Sequence, residues 1–259
     1  VSQTGNNTAH IISLHSFRRG TGKSHLAANL AVLLAISGRR VGLIDINFQS
    51  PSTHILFGLE ETDFTFTLND YLQGKCPIER AIIDLTDQLE SPVQGQLFLV
   101  AANPHLGEIT RLLRGGYEIS VLNQGFQEFI ATRQLDVLII DTHAGLNEET
   151  MLSMAICDVL AMIVRPDKQD HQGTGVTIEV ARRLNVPRIL LIVNEVASAF
   201  DPSDVKAQME RAYHCEVGAV LPHAEEIMAL GSSALFVVRH PDHPLTVTMR
   251  ELAALLITP

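Results

Sequence analysis

His10-Ile11-Ile12-Ser13-Leu14-His15-Ser16-Phe17-Arg18-Arg19-Gly20-Thr21-Gly22-Lys23-Ser24 is the stretch that decides the fold of this chain. An apolar run, a polar turn with two glycines and an amphipathic stretch over residues 24–36 read as strand, loop and helix. The tail, Gly20-Thr21-Gly22-Lys23-Ser24, matches the end of a phosphate-binding loop. Gly20 and Gly22 allow backbone N–H groups to close on phosphate oxygens where a Cβ would obstruct them, with Thr21 between. Lys23 is placed to reach the β- and γ-phosphates and Ser24 to hold Mg²⁺. The helix N-terminus, with His25 in its first turn, adds partial positive charge. An ordinary glycine turn with a helix cap is the competing reading. The strand before, the Gly-Lys-Ser triplet and the helix after weigh against it together.

Outward from this loop, further apolar runs occupy residues 40–44, 97–100, 136–140, 159–164, 189–193 and 217–221. Most are nearly continuous rather than alternating, as parallel strands covered on both faces require. Helix-like stretches lie between them at 119–132, 148–157 and 174–184. Strands alternating with helices imply right-handed crossovers and an α/β, doubly wound, mainly parallel sheet of about seven or eight strands. Residues 51–92 are less regular and read as short helices and loops. The whole chain, 1–259, is expected to be one nucleotide-binding domain, with 1–8 flexible. In such a sheet, ligands sit beyond the carboxyl ends of the strands, so the residues following each run are the ones that matter.

Composition narrows the classes further. Of 259 residues, 46% are hydrophobic, which argues against disorder. No stretch has the roughly 18 consecutive apolar residues of a spanning helix, and the polar opening does not read as a secretory signal. A net charge of −10 repels phosphate backbones except where cations cluster, and the densest cluster is Arg18, Arg19 and Lys23. Cys76, Cys157 and Cys215 are distant from one another, odd in number and without a CxxC pair, which suits free thiols in a reducing compartment. A cytoplasmic location, with peripheral association to a membrane or nucleoid left open, is the expectation.

A generic phosphate-binding loop has Gly where this chain has Phe17. The variant form Lys-Gly-Gly-x-Gly-Lys-Ser/Thr fits better, and on it the sequence resembles the MinD/ParA family of dimerising P-loop ATPases along nearly its whole length. Gly20, Gly22, Lys23 and Ser24 match; Arg18 stands where the family has its characteristic Lys, and Arg19, counted with the nucleotide-binding residues, where it has a Gly. The resemblance implies that the residue at position 18 crosses a dimer interface to the partner's phosphates, a role an Arg fills as a planar, multi-donor cation. A left-handed backbone at Arg19 would carry a penalty of about 1–2 kcal/mol.

The same resemblance assigns roles at other strand ends. Asp45, in Leu43-Ile44-Asp45-Ile46-Asn47, is implied to activate the attacking water and to lie at the metal, with Asn47 replacing a second carboxylate. Four apolar residues followed by Asp141 form a Walker B arrangement, implying a role for Asp141 in the Mg²⁺ shell. His143-Ala144-Gly145 resembles the second switch of the family, with Gly145 offering its N–H to the γ-phosphate. His143 reads as a loop residue rather than a metal ligand, with the potential to make the switch pH-sensitive. Asn194 is implied to bond the adenine edge, and Leu221-Pro222-His223-Ala224 to wrap the base, with Pro222 and His223 as contacts. Lys168 reads as a solvated loop residue, with an interfacial role as the sharper alternative.

The function implied is an ATP-binding, ATP-hydrolysing switch with Mg²⁺. It dimerises on ATP, positions or partitions cellular cargo, and is stimulated by a protein partner. Arg18, Lys23 and Asp45 are the catalytic candidates. A membrane or DNA surface lacks support: residues 248–257 read as a last helix, no basic amphipathic segment follows, and Arg239, His240, His243 and Arg250 are sparse. The alternative is a nucleotide-binding regulatory module with weak or no ATPase activity, motivated by Arg18, Arg19 and Asn47. Iron–sulfur carriers on this fold use cysteines at a dimer interface, and Cys157 with Cys215 offers no such pattern. Tyrosine kinases on this fold carry a C-terminal tyrosine cluster, whereas this chain has Tyr71, Tyr117 and Tyr213 alone.

Overall fold

Runs of Val, Ile and Leu with no polar face must be covered on both sides, and helices supply the cover. The computed structural model describes residues 9–258, and the backbone alone for Lys168 and Gln169. The expected flexible stretch 1–8 and the side chain of Lys168 therefore lie outside the described residues.

The strands are β1 (His10–His15), β2 (Arg40–Asp45), β3 (Ile82–Asp84), β4 (Gln96–Val100), β5 (Val137–Asp141), β6 (Val159–Val164), β7 (Arg188–Val196) and β8 (Glu216–Pro222). They form one sheet in the order β3-β4-β2-β5-β1-β6-β7-β8. Every pair is parallel except β3 with β4. The helices are α1 (Lys23–Ile36), α2 (Leu68–Leu72), α3 (Leu106–Gly115), α4 (Ile119–Arg133), α5 (Glu148–Ile156), α6 (Lys168–Arg183), α7 (Pro202–Tyr213), α8 (Glu225–Ala229), α9 (Phe236–Arg239) and α10 (Pro244–Leu256). The sheet is the doubly wound one the strand–helix alternation predicts. Its eighth strand, β3, lies inside the irregular stretch 51–92, where three residues are too few to give a periodic signal.

One face of the sheet packs on α1, α9 and α10, the other on α4 and α5, with a third core under α6 and α7. Helix α1, expected to be amphipathic, is instead buried on nearly every side from Leu26 to Ala35. A helix apolar all round belongs between layers, and here it carries the phosphate loop on its N-terminus. Helix α6 starts six residues before the expected 174. Its polar opening hides the start from hydropathy, but Asp167 caps it by accepting from the Asp170 N–H at 2.8 Å. The carboxylate of Asp170 accepts in turn from the Arg165 N–H at 2.8 Å.

Strand β7 carries an irregularity that matters for the site. Its register with β8 shifts between Val193 and Val196, and Glu195 there has φ of 55°. A bulge re-aims side chains that a regular strand would point into the layers. Asn194 sits in it.

Candidate functional site

Strand β1 is central, with β5 on one side and β6 on the other, so the loop after it emerges where crossovers leave in opposite directions. Gly20 and Gly22 have φ of 74° and 84°, the left-handed region that glycine enters at no steric cost. A Cβ on Gly22 would also stand 2.5 Å from Asn194 Nδ2. Arg19 does not have a positive φ, so the penalty expected there is not incurred. Its side chain, not its backbone, is what the substitution changes.

The loop encloses a cavity of about 340 Å³ lined by residues 18–25, Asn47, Ser50 to Ser52 and His143. At its floor Lys23 donates to Asp141 Oδ1 at 2.7 Å, with Lys23 8% exposed and Asp141 fully buried. The other oxygen, Oδ2, accepts from the Thr53 hydroxyl at 3.0 Å. Asp45 lies across from Asp141 in the β2–β5 register and accepts from the backbone N–H groups of Asn47, Ser52 and Thr53. Burial, and then the neighbouring Asp141 carboxylate, push Asp45 up to about 6. Thr53 escaped the sequence reading because a threonine eight residues beyond a strand end carries no pattern of its own.

Behind the loop, His15 Nδ1 meets Thr142 Oγ1 at 2.8 Å, and that hydroxyl donates to the Leu14 carbonyl. The proton therefore sits on Nδ1, while Nε2 has no partner among the described residues. Burial, reinforced by Lys23, lowers His15 to about 3, so the ring is neutral. The Gly145 N–H donates to the Ser16 carbonyl at 3.1 Å, tying the loop after β5 to the phosphate loop.

The two arginines of the motif are both held within the chain. Arg18 bonds both oxygens of Asp167 at 3.1 Å. The ring of Phe17 rests on Gly173 of α6, where a Cβ would meet it at 2.0 Å. Arg19 donates to Gln49 Oε1 at 2.7 Å and to His143 Nε2 at 2.8 Å. Burial and Arg19 both lower the His143 pKa. Asn47 donates its amide to the Ser50 carbonyl at 2.9 Å.

A second cavity of about 390 Å³ adjoins the first through Gly20, Gly22 and His25. Leu26, Leu221, Ile227, Met228 and Met249 make its walls apolar, with Pro222, His223 and Asn194 at its rim. Asn194 Nδ2 donates to the Thr21 carbonyl at 2.8 Å, so this amide also anchors the phosphate loop. His25 Nε2 meets Ser232 Oγ at 2.9 Å across the opening.

The cysteines lie elsewhere. Cys157 and Cys215 precede the first residues of β6 and β8, at the end of the sheet opposite both cavities, and burial pushes both thiols up. Among the described residues no three or more His, Cys, Asp or Glu side chains group around a metal-sized space. No helix among them is long and apolar enough to cross a membrane.

Residues 7–254 match a family described as ParA, the NUBPL iron-transfer P-loop NTPases. An uncharacterized ATP-binding protein of Methanocaldococcus jannaschii is 30% identical over 252 residues, spanning 95% of this chain and 87% of that protein. A cytosolic Fe–S cluster assembly factor, the NUBP2 homolog of Culex quinquefasciatus, is 32% identical over 228 residues, spanning 86% of this chain and 82% of that one. In fold, the Aquifex aeolicus MinC:MinD cell division complex contains a chain with a TM-score of 0.79 at 19% identity, covering 96% of each. The phosphate loop on β1, the aspartates ending β2 and β5 and a family match over nearly the full length lead to one assignment: this chain belongs to the MinD/ParA family of P-loop ATPases.

Proposed function

We propose that this protein is an ATP-driven dimerisation switch that positions or partitions a cellular cargo, with hydrolysis stimulated by a protein partner. The observation that carries the reading is the Lys23–Asp141 contact at the floor of a glycine-lined cavity, with Asp45 beside it. Triphosphate oxygens would take the place of Asp141 as partners of Lys23, releasing the carboxylate toward the metal. The backbone N–H groups of the loop and the N-terminus of α1 hold the β-phosphate. Asp45, in its charged form, orients the attacking water at the γ-phosphate, where catalysis is placement of charge rather than covalent chemistry.

Two buried carboxylates and the Ser24 hydroxyl form an all-oxygen donor set of the kind Mg²⁺ prefers, and too few in number to cage it without phosphate and water. Such an ion would neutralise the charge that develops on the phosphate during transfer. Ser24, Asp45 and Asp141 are the residues that would hold it. The adenine is assigned to the apolar cavity beside Asn194, Pro222 and His223. Arg18 is assigned the cross-interface role, which requires it to exchange Asp167 for the partner's phosphates.

Calorimetry and sedimentation with Mg-ATP and Mg-ADP test this reading. Binding of both nucleotides, dimers with ATP alone and slow phosphate release are the expected results. A chain that binds no nucleotide at millimolar concentration overturns it. A second reading, a regulatory module with little turnover, is favoured by Asn47, whose amide is bonded to Ser50 rather than placed at the metal. ATP-linked dimers without measurable phosphate release would select it. The iron-transfer role named for the family would need ligands other than Cys157 and Cys215, which stand at the far end of the sheet.

A further inference from the structure

Three cations line the phosphate cavity, and they differ in what holds them. Lys23 is paired with a carboxylate at 2.7 Å and Arg18 with another at 3.1 Å. Arg19 is exposed and, among the described residues, forms no ion pair. Both of its partners are neutral. A guanidinium can only donate, so His143 Nε2 accepts through its lone pair, and Gln49 accepts through its amide oxygen. Both bonds come from a single guanidinium nitrogen. In a chain of net charge −10, this is a cation positioned at an anion-sized cavity and compensated by no acidic side chain there.

Its partners tie together two loops. Gln49 follows β2, whose last residue is Asp45, and His143 follows β5, whose last residue is Asp141. One side chain thus links the two segments that bear the acidic residues of the site. We propose that Arg19 is a ligand of the terminal phosphate acting within its own chain, and that the Gln49–Arg19–His143 bridge positions the β2 and β5 loops around that phosphate. The proposal rests on the nucleotide reading above and adds to it a residue that distinguishes triphosphate from diphosphate. A planar fork of donors suits a phosphate dianion, and charge-assisted bonds are the strong ones. A diphosphate, lacking the terminal group, leaves Arg19 bonded only to its neutral partners.

Arg19→Gly, Arg19→Lys and Gln49→Leu test it, with Mg-ADP and a non-hydrolysable ATP analogue titrated calorimetrically at protein concentrations where sedimentation shows monomers. Arg19→Gly should weaken the triphosphate by about ten-fold or more, the scale of one charge-assisted hydrogen bond, and the diphosphate by less than about two-fold. Arg19→Lys should recover part of that loss, because it keeps the charge and loses the fork. Gln49→Leu should change affinity little and slow phosphate release, because it breaks the bridge and spares the cation. Since Arg19 is exposed, the thermal midpoint of each Arg19 variant should stay near that of the unaltered chain. Equal losses for the two nucleotides, or no loss, would overturn the proposal while leaving the nucleotide site intact. Failure of the unaltered chain to bind either nucleotide would overturn both. Mixing Arg19→Gly with Lys23→Ala chains decides between one chain and two: restored phosphate release would show that Arg19 serves the partner's site and would overturn the in-chain role.

Discussion

The two adjoining cavities are built on different physics. The phosphate cavity is a set of charges placed at strand ends, with Lys23, Asp45 and Asp141 buried and bonded across three elements. The cavity assigned to the base has mainly apolar walls, brought together by α1, β8, the short helix α8 and α10, with His25, Asn29, Asn194, Glu195, His223 and Ser232 as its polar lining. Removing one partner from the first leaves a buried charge uncompensated. Trimming a wall of the second leaves a larger cavity and little else. Mutational effects should therefore be steep in one and shallow in the other.

Lys23→Ala should separate the two most sharply. It removes the phosphate cation and strands the Asp141 carboxylate, so calorimetry should show nucleotide binding lost and thermal unfolding a destabilisation of about 3–5 kcal/mol. Lys23→Ala combined with Asp141→Asn should regain part of the stability and none of the binding. Recovery of binding would mean that the charges are not where the nucleotide's energy comes from.

Acid provides the next test, because two groups of the phosphate half titrate in opposite directions. Unfolded His15 takes a proton near pH 6.5 and the folded ring resists it until about 3, so the unfolded state binds more protons in that window. Stability is then lost as pH falls below about 6.5, by up to about 1.4 kcal/mol per pH unit. Asp45 works the other way: folded, it takes its proton near pH 6, before the unfolded group does near 3.8, adding stability as pH falls between those values. Denaturant melts at several pH values should show His15→Gln flattening the acid loss and Asp45→Asn steepening it.

Smaller effects follow. Asp45→Ala should retain nucleotide, slow phosphate release and prolong ATP-linked dimers in light scattering, because the group assigned to orient water is gone while the loop is intact. Asn194→Ala should weaken adenine nucleotides by about ten-fold, the scale of one or two hydrogen bonds, with a modest drop in melting temperature from the lost Thr21 anchor. Ser232→Ala, which removes the His25 contact at the mouth of the base cavity, should change affinity by less than about five-fold. A larger effect at Ser232 than at Lys23 would reverse the comparison.

The phosphate half was the more legible in sequence for the same reason that it is steep. A loop that must close on phosphate needs glycines and a lysine at fixed local spacing, and a strand end that bears Asp141 shows as four apolar residues and an acid. The base half is assembled from segments far apart in the chain, and its walls are ordinary Leu, Ile and Met residues that any core would use. Asn194 was legible as a polar residue at a strand end, but its bond to the Thr21 carbonyl, made from the β7 bulge, was not.

Sequence alone determined the α/β class, the position of the phosphate loop on the first strand and the acids at the ends of β2 and β5. Each is set by local periodicity or by spacing along one segment. Only the tertiary structure decided how the loop's cations are held: Lys23 by Asp141, Arg18 by Asp167, and Arg19 by Gln49 and His143. Those partners lie between 30 and 149 residues away in the chain. No local pattern encodes such a separation, and only the packing of one sheet brings them within hydrogen-bond reach.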